Sequence, residues 1–563
     1  MPKRSPETFG AEDARPLKRT RWQQHHETAK SLANSEGEVV GRSLSHHRNR
    51  DRDRISGLSD ELLFHVLSYL PTSSLLNCSR VSRRFHSLAE DSELWKRKYY
   101  SRWVWPRARR IQRPASSDRV SGKPSSSLRP EYSYTPKASQ WLDHGHLAHR
   151  VPLPHWKQQY QLRHNWSTGA CKVTEVEVLE KPDTNMHHLL SDTKSGVQIK
   201  ICGSFIFTAD YEHGLRAWRN IDSMNCVSNV SLEQDREEAT SSSTIPTAIS
   251  AVIHSPEAKD YSIVIGFMSG RIDIFNFNVN TDRFERVLSH EVGKCAISTL
   301  ALSLSHMAVF TEDYNLLLFR LSPGIDTHIQ GDGTHETQRL RLLTKLSTQS
   351  ISQPVSLSIR TSLAGTIASI GYTVPRLGGG WSVGIQELRL NEAARRLESR
   401  VATTAELASN PNTSNTSAEA PTSLSYSHPY LVTSHSDNTL TVYLVKSTSD
   451  SLSIKTGRRL WGHTSSVRGV EVSDRGKAVS VSVRGDDVRI WELEEAVSLP
   501  NGSKAALQRE GSIRVMGAEE SQGEDAVIER PRVSEWIGFD EEQVVVLFGR
   551  ELGAHYLKRY SFT

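Results

Sequence analysis

The feature that most constrains the fold is a repeat of short strand–turn–strand segments between residues 171 and 563. Each segment has a strand, a turn with Asp, Gly or Asn, and a second strand. A unit of this kind cannot bury both apolar faces alone, whereas a closed ring of units buries them on neighbours. The pattern predicts a seven-bladed β-propeller, with an irregular β-sandwich as the alternative. The segments are 205–218, 262–275, 307–319, 366–388, 430–443, 477–491 and 543–562.

Two further segments bear on how this ring is built. The strand-like stretch 171–180 precedes the first repeat, and we expect it to pair into the last blade and lock the ring. The spacing of the repeats is wider than usual because of inserted loops. The longest insert, about 391–420, is rich in Ala, Ser, Thr and Asn, and we predict that it is disordered.

Residues 55–100 have a different, helical rhythm. Ser59 is a predicted helix N-cap, Pro71 stops that helix, and Thr72 or Ser73 caps a second. Two more short helices follow, the third carrying Val81. So small a core contributes only a few kcal/mol, which favours docking of an apolar face on a partner over a bundle without one. The apolar stripe of the first helix is Leu62, Leu63, Val66, Leu67 and Leu70.

The segment 156–169 predicts a helix that joins the two regions. Trp156, Tyr160 and Arg163 share one helical face, and Asn165, Trp166 and Gly169 then end the helix. Large aromatic residues on one face would make such a connector stiff.

These residues together resemble a known family. The string L-x-x-E-L-L-x-x-V-L-x-Y-L-P, followed by V-S-R-R-F and L-W, resembles an F-box, with Ser59 where the family usually has Pro. The connector is similar to that of F-box/WD-repeat proteins, and Gly462-His463 with Trp491 matches the WD-repeat signature. The resemblance implies an N-terminal helical F-box and a mainly β protein. It also implies a set of adaptor-binding residues. We expect the first six to divide between the small core and the adaptor interface and the last three to support them: Leu58, Leu62, Leu63, Val66, Leu67, Leu70, Leu75, Val81 and Trp95.

The same resemblance implies a substrate-binding role for Arg468 and Arg484. In receptors of this family, arginines at such positions bind a phosphorylated degron. Guanidinium groups suit phosphate because they bind it through two hydrogen bonds. One departure is that a single blade supplies these arginines; the alternative is that both are surface residues with ordinary ion pairs. The aligned positions of other blades hold Tyr211, Met268, Glu312 and Ser436.

The sequence contains no motif that indicates an active site of its own. It has no nucleotide-binding, hydrolase or zinc-protease motif, and Gly378–Gly380 is read as a flexible turn. The spacing of His144, His146, His149 and His155 is too loose for a metal site, so we expect neither metal nor cofactor. The net charge of +5 does not argue for direct nucleic-acid binding.

The location is expected to be intracellular, in the cytoplasm, the nucleus or both. Scattered cysteines suit a reducing compartment, and neither a signal peptide nor a membrane-spanning run is found. Residues 1–54 form a predicted disordered basic tail, in which Arg15, Lys18, Arg19 and Arg21 are either a nuclear-import signal or a solvated cluster. The other predicted boundaries are 55–100 for the F-box, 101–140 for a Ser/Pro/Arg-rich linker, 141–170 for the connector and 171–563 for the propeller.

The sequence therefore predicts an interaction protein with two ends. The hypothesis we favour is a non-catalytic, substrate-recognition subunit of an SCF-type E3 ubiquitin ligase. Its partners would be the adaptor subunit, through it a cullin, and a protein substrate, with a phosphorylated substrate as one alternative. A scaffold that keeps the F-box fold but acts outside ubiquitination is the other hypothesis.

Overall fold

The computed structural model describes the F-box region, the connector and most of the repeat region. The chain divides into two compact units, Met1–Ser59 and Asp60–Thr563, and every helix and strand given below lies in the second. The predicted disordered tail, the basic cluster at 15–21 and most of the predicted linker lie outside the described residues. The described residues are 55, 57–105, 155–179, 196–219, 224–233, 245–254, 260–324, 337–347, 351–362, 365–376, 379–391, 396–404, 419–494, 511–517, 532–550 and 554–563.

Four short helices form the F-box region, followed by a π-helical turn and, later in the chain, the connector helix. Their bounds are α1 Asp60–Tyr69, α2 Thr72–Cys78, α3 Arg83–Ala89, α4 Ser92–Tyr99, the π-helical turn Tyr100–Val104 and α5 Trp156–Thr168. Helical structure thus continues to Val104, past the F-box boundary at residue 100 and into the predicted linker.

The residues that cap the helices agree only in part with the prediction from the sequence. Ser82 caps α3 by accepting a hydrogen bond from the Phe85 backbone N–H at 3.2 Å, and Gly169 ends α5 in the left-handed conformation with φ of 77°. The prediction that Thr72 or Ser73 caps α2 was wrong. The N-cap is Pro71, without a side-chain hydrogen bond, and the Thr72 hydroxyl lies 3.0 Å from the Tyr160 hydroxyl. Val81 was also misplaced, since it lies between α2 and α3.

The first three propeller blades are four-stranded antiparallel sheets with strands in chain order. Blade 1 has β2 Gln198–Cys202, β3 Phe205–Asp210, β4 Gly214–Arg219 and β5 Asn225–Val230. Blade 2 has β6 Pro246–Ile253, β7 Asp260–Phe267, β8 Arg271–Asn278 and β9 Arg283–Glu291. Blade 3 has β10 Ile297–Leu302, β11 His306–Thr311, β12 Asn315–Gly324 and β13 Thr337–Ser347.

The next three blades repeat this arrangement, except that two short strands share the outer side of blade 5. Blade 4 has β14 Ser352–Ser362, β15 Gly365–Pro375, β16 Trp381–Asn391 and β17 Arg396–Thr403. Blade 5 has β18 Ser423–Ser427, β19 Tyr430–Ser434 and β20 Thr439–Ser447, with β21 Leu452–Ile454 and β22 Arg458–Trp461 both paired to β20. Blade 6 has β23 Val467–Val472, β24 Lys477–Ser482, β25 Val488–Glu492 and β26 Ser512–Arg514.

Blade 7 is completed by a strand from the beginning of the repeat region. It contains β28 Arg532–Phe539, β29 Gln543–Arg550 and β30 His555–Ser561, and its fourth strand is β1 Ala170–Leu179. The pairing is antiparallel and runs from Lys172 opposite Ser561 to Leu179 opposite His555. A short strand, β27 Met516–Gly517, pairs in parallel with the other edge of β1. The predicted ring-closing strand is therefore confirmed, as is the prediction of seven blades.

The apolar core lies between neighbouring blades. One cluster joins blades 1 and 2 through Phe205, Phe207, Tyr261 and Phe277, all buried. Burial on both sides of each sheet explains why the inner strands are almost continuously apolar instead of alternating.

The prediction of a disordered insert at about 391–420 was wrong in part. Residues 396–403 form β17, which pairs with β16 from Gly384 opposite Thr403 to Asn391 opposite Arg396. This strand is the outermost of its blade, and Val401 is 55% exposed. It lacks a clean apolar pattern because only one of its edges is paired and much of its surface faces water. Residues 405–418 lie outside the described residues.

The antiparallel blades give the propeller two faces, which we name by their turns. The upper face carries the turns between second and third strands, such as Val483–Asp487 in blade 6, and the starts of the innermost strands. The lower face carries the turns between first and second strands, such as Ser473–Gly476 in blade 6 and Asp540–Glu542 in blade 7.

Candidate functional site

The F-box helices divide their apolar residues between a buried core and an exposed face. Of the predicted adaptor-binding residues, Leu58 and Leu70 are half-buried. Leu62, Val66 and Val81 are 54%, 49% and 70% exposed. Two residues outside the predicted adaptor-binding set are also exposed, Tyr69 at 76% and Leu76 at 42%. We call Leu62, Val66, Tyr69, Leu76 and Val81 the F-box apolar face. The remaining predicted residues are 2% exposed or less: Leu63, Leu67, Leu75 and Trp95.

The sequence signal for this division lies in the helical spacing. Leu63 and Leu67 are four residues apart on the side of α1 that faces the core. Leu62 and Val66, also four apart, lie one position earlier and therefore about 100° around the helix. A stripe this wide exceeds what one small core buries, so part of it stays in contact with water.

The connector helix α5 is part of the F-box core. Trp156 and Tyr160 are buried there with Trp95 and Tyr99, and the ring centroids of Trp95 and Tyr160 are 5.2 Å apart. Arg102 donates a hydrogen bond to the Tyr160 hydroxyl at 2.9 Å. Buried aromatic pairs of this kind add about 1 kcal/mol each beyond their area, so these contacts stabilise the packing of α5 against the F-box helices.

The other half of α5 packs on the lower face of blades 6 and 7. The Trp166 indole N–H donates to the carbonyl of Glu541 at 2.9 Å, in the turn between β28 and β29. Arg163 pairs with Glu492, at the end of β25, at 3.0 Å. The Lys477 ammonium lies 3.8 Å from the centroid of the Trp166 ring, and burial lowers the pKa of this lysine. The predicted stiff connector therefore contacts both regions.

Blade 6 contains a buried hydrogen-bonded chain of four side chains. His463 Nδ1 lies 3.1 Å from a carboxylate oxygen of Asp487, and His463 Nε2 lies 2.6 Å from the Ser480 hydroxyl. The Trp491 indole N–H donates to the same hydroxyl at 2.8 Å. The WD-repeat signature of the sequence is thus a structural lock that links the loop before β23 to the middle strands.

Arg468 and Arg484 lie on the upper face of blade 6, and both are exposed. Arg468 is at a bulge near the start of β23, between the pairs Val467–Ser482 and Gly469–Val481. Arg484 is in the turn Val483–Asp487. This turn is hydrogen-bonded to the loop before β23, since the Val483 N–H donates to the Ser466 carbonyl at 2.9 Å. Among the described residues, we find no hydrogen bond or ion pair for either guanidinium group.

The turn that carries Arg484 is held firmly. Gly485 has φ of 71°, and a Cβ there would lie 1.9 Å from the Phe548 ring, so only glycine fits. The Ser482 hydroxyl donates to an Asp486 carboxylate oxygen at 2.6 Å. A further cation that no sequence pattern indicated, Arg514 on β26, reaches the same turn and donates to the Asp486 carbonyl at 3.3 Å. The residues of other blades that align with Arg484 also lie in upper-face turns: Tyr211, Met268, Glu312 and Ser436.

The described residues contain no group of three or more His, Cys, Asp or Glu side chains placed to hold a metal ion. Of the four histidines considered from the sequence, only His155 is described. No helix within the described ranges is long and apolar enough to cross a membrane.

Comparison with known proteins agrees with this architecture. Residues 171–563 match the family described as F-box protein pof12 beta-propeller, and residues 59–101 match the family described as F-box-like. The chain belongs to the F-box protein pof12 family. It is 23% identical over 440 residues to F-box protein pof12 of Schizosaccharomyces pombe, which covers 78% of this chain and 84% of that one. This F-box protein also has 48% identity over 48 residues to F-box protein dre-1 of Caenorhabditis elegans, covering 8% of this chain and 5% of that protein.

Solved structures add only a general likeness. Chaetomium thermophilum Sqt1, solved bound to the N-terminus of ribosomal protein L10, matches 65% of this F-box protein and 83% of its own chain, with 15% identity and a TM-score of 0.37. A structure of U3-55K matches 69% and 98%, with 9% identity and a TM-score of 0.39.

Proposed function

We propose that this protein is the substrate-recognition subunit of an SCF-type E3 ubiquitin ligase. F-box proteins generally act in this way. The observation that supports it best is the F-box apolar face, which remains exposed while α5 fixes its helices on the lower face of the propeller. An adaptor subunit bound there would link the chain to a cullin and leave the upper face to a substrate.

The contribution of this chain to ubiquitin transfer would be proximity. F-box proteins are typically non-catalytic ligase subunits, so the chemistry would belong to other subunits. Holding a substrate lysine near the charged ubiquitin-conjugating enzyme raises its effective concentration, which alone accelerates the transfer.

The upper face of blade 6 is where we place the substrate. Arg468 and Arg484 are exposed, and the backbone that carries them is fixed by the buried lock around His463. Two guanidinium groups on a rigid frame would bind a phosphorylated residue, which carries a charge of about −1.5 to −2, in preference to a bare hydroxyl.

Co-precipitation from cells tests the ligase proposal. We expect the wild-type chain to recover both adaptor and cullin, and a Leu62→Asp/Val66→Asp variant to lose both. The matched control is Leu304→Asp/Leu342→Asp, because these propeller leucines are 54% and 48% exposed. Recovery of the adaptor without a cullin, or of neither, would contradict the proposal and favour a scaffold outside ubiquitination.

Substrate capture tests the phosphate proposal separately. Proteins bound by the wild type and stabilised by proteasome inhibition are compared with those bound by Arg468→Ala/Arg484→Ala, with and without phosphatase. We expect the variant and the phosphatase each to reduce capture. Arg283→Ala/Arg341→Ala, which removes two exposed arginines from outer strands of blades 2 and 3, is the control. Equal capture in all samples would exclude a phosphate-dependent site on blade 6.

A further inference from the structure

Phe562, which follows the last strand of blade 7, is fixed by several contacts. Its side chain is fully buried, and its ring stacks on Trp166 of the connector with centroids 4.0 Å apart and an interplanar angle of 23°. Its backbone N–H donates to the Glu542 carbonyl at 2.9 Å, and its carbonyl accepts a hydrogen bond from the Asn165 side chain at 2.8 Å. Phe562 therefore joins the connector helix to the closing blade.

The neighbouring contacts act on the same indole ring. Trp166 donates to the Glu541 carbonyl, and the carboxylate of Glu541 is held in turn by Arg475 at 2.8 Å. Lys477 lies against the ring. Arg475 and Glu541 belong to the lower-face turns of blades 6 and 7, and Lys477 begins β24 directly after the first turn. Both turns therefore meet the connector at one aromatic side chain.

The covalent link between connector and propeller is a single glycine. Gly169 lies between α5 and β1, and β1 pairs with β30 and β27. Most of the backbone pairing of β1 is with β30, so the position of β1 depends on β30. Gly169 is itself held, since its N–H donates to the Asn165 carbonyl at 2.8 Å and its carbonyl accepts from the Met516 N–H at 2.9 Å. Without the Phe562 ring, the Trp166 indole would lose its stacking partner in the closing blade, while the polar contacts of the connector with Glu492 and Glu541 would remain.

We infer that Phe562 is a positioning residue and that closure of blade 7 sets the place of the F-box on the propeller. A closed blade 7 presents the Phe562 ring to Trp166, and closure therefore contributes to the distance between the F-box apolar face and the upper face. The effect on ubiquitin transfer rests on the function proposed above, whereas the effect on domain position does not.

A distance measurement tests the inference on the full chain. Spin labels are placed at exposed positions of the F-box and blade 2, by His86→Cys and Asn280→Cys, after Cys78, Cys226 and Cys295 are replaced by alanine. Pulsed electron spin resonance then gives the distribution of distances between the labels. We expect a narrow distribution in the otherwise unchanged chain and a broader, displaced one in Phe562→Ala.

Two further variants separate position from stability. Phe562→Tyr keeps the stacked ring and should restore the narrow distribution. Phe548→Leu trims a buried ring of the same blade that contacts blade 6, so it should lower the melting temperature without broadening the distribution. If Phe562→Ala does not fold, Phe562→Leu, which retains bulk but not stacking, replaces it. An unchanged distribution in the folded Phe562 variant, or equal broadening in Phe548→Leu, would overturn the inference.

Ubiquitin transfer supplies the second readout. With adaptor affinity and substrate affinity unchanged, Phe562→Ala should transfer ubiquitin about tenfold to a hundredfold more slowly in a single turnover, because misplacement of reacting groups is costly. If no variant binds the adaptor, the ligase proposal fails while the distance measurement still decides the inference. Wild-type transfer rates in a variant with a broadened distribution would show that the position set by Phe562 does not limit ubiquitin transfer.

Discussion

His463 and Asp487 form a buried pair that connects the loop before β23 to the middle strands of blade 6. The side chains are 1% and 4% exposed, and His463 Nδ1 lies 3.1 Å from the Asp487 carboxylate. Arg489 also donates to this carboxylate, at 2.9 Å. Removing His463 would leave the buried Asp487 carboxylate with Arg489 as its remaining partner among these side chains, and the loss of one partner from a buried charged group is strongly destabilising.

We therefore predict that His463→Ala lowers the free energy of unfolding by about 3 kcal/mol. Chemical denaturation followed by tryptophan fluorescence measures this change. His290→Ala, which removes an exposed histidine from β9, serves as the control and should have little effect. A His463 variant as stable as this control would show that the lock contributes nothing to the ring.

The same carboxylate predicts a dependence of stability on pH. Burial tends to raise the pKa of Asp487, but hydrogen bonds from His463 and Arg489 outweigh it and lower the pKa from 3.8 to about 2. A carboxyl group whose pKa is lowered on folding stabilises the fold above its ordinary pKa, and loses this contribution as the pH falls toward the lowered value. Stability should thus fall between pH 3.8 and about 2, and the slope should be smaller in Asp487→Asn. Equal slopes in thermal unfolding would contradict this.

Leu67 and Leu62 should respond differently to substitution, although the sequence did not distinguish them within the predicted adaptor-binding set. Leu67 is 2% exposed, so Leu67→Ala should destabilise the F-box by about 2 to 5 kcal/mol. Leu62→Ala/Val66→Ala should leave the melting temperature almost unchanged and weaken adaptor binding in isothermal titration. Normal binding by a folded Leu62→Ala/Val66→Ala protein would remove the F-box apolar face as the docking surface.

Gly169 should tolerate no side chain. Its φ is 77°, and a Cβ would lie 2.0 Å from the Arg514 carbonyl oxygen. The left-handed conformation alone costs a non-glycine residue about 1 to 2 kcal/mol, and the clash adds to it. Gly169→Ala should therefore lower the melting temperature, whereas Gly196→Ala, where nothing lies within 4 Å, should not. Equal melting temperatures would show that the contact with β26 relaxes freely.

Deleting residues 555–563 removes β30 and Phe562 together. The unpaired edges of β29 and β1 and a core face of blade 7 would then be exposed, so we expect aggregation instead of a local defect. Size-exclusion chromatography of freshly purified protein distinguishes these outcomes. A monomeric truncated chain with an unchanged melting temperature would mean that the ring is closed elsewhere.

The fold could be predicted from the sequence largely because its repeats are local. Each of the segments that end near Trp218, Phe275 or Trp491 is one hairpin, whose turn and apolar run are adjacent in sequence. The outer strands were harder, as β17 shows, because solvent exposure leaves them with little apolar pattern. The contact of Trp166 with Phe562 was not foreseen, since nothing local signals a partner so distant in the chain.

For the candidate sites, the sequence indicated which residues belong to them but not which of these residues are buried or which others lie nearby. Helical spacing placed Leu62, Leu63, Val66 and Leu67 on one stripe but could not say which would be buried, because that depends on how α4 and α5 cover α1. Arg514 was missed for a similar reason. It reaches the turn of Arg484 through pairing of β26 with β25, which no sequence motif marks.

The origin of the outer strand of blade 7 also imposes an order in time. Glu177 in β1 and its hydrogen-bond partner Tyr556 in β30 are 379 positions apart. At about 5 to 20 residues per second, a ribosome takes roughly 20 to 75 s to reach the second after making the first. During that interval the edge of β1 that later pairs with β30 has no partner, while the other strands are being synthesised. Its sequence suits that wait, because Glu175 and Glu177 interrupt the valines that would otherwise attract a foreign strand.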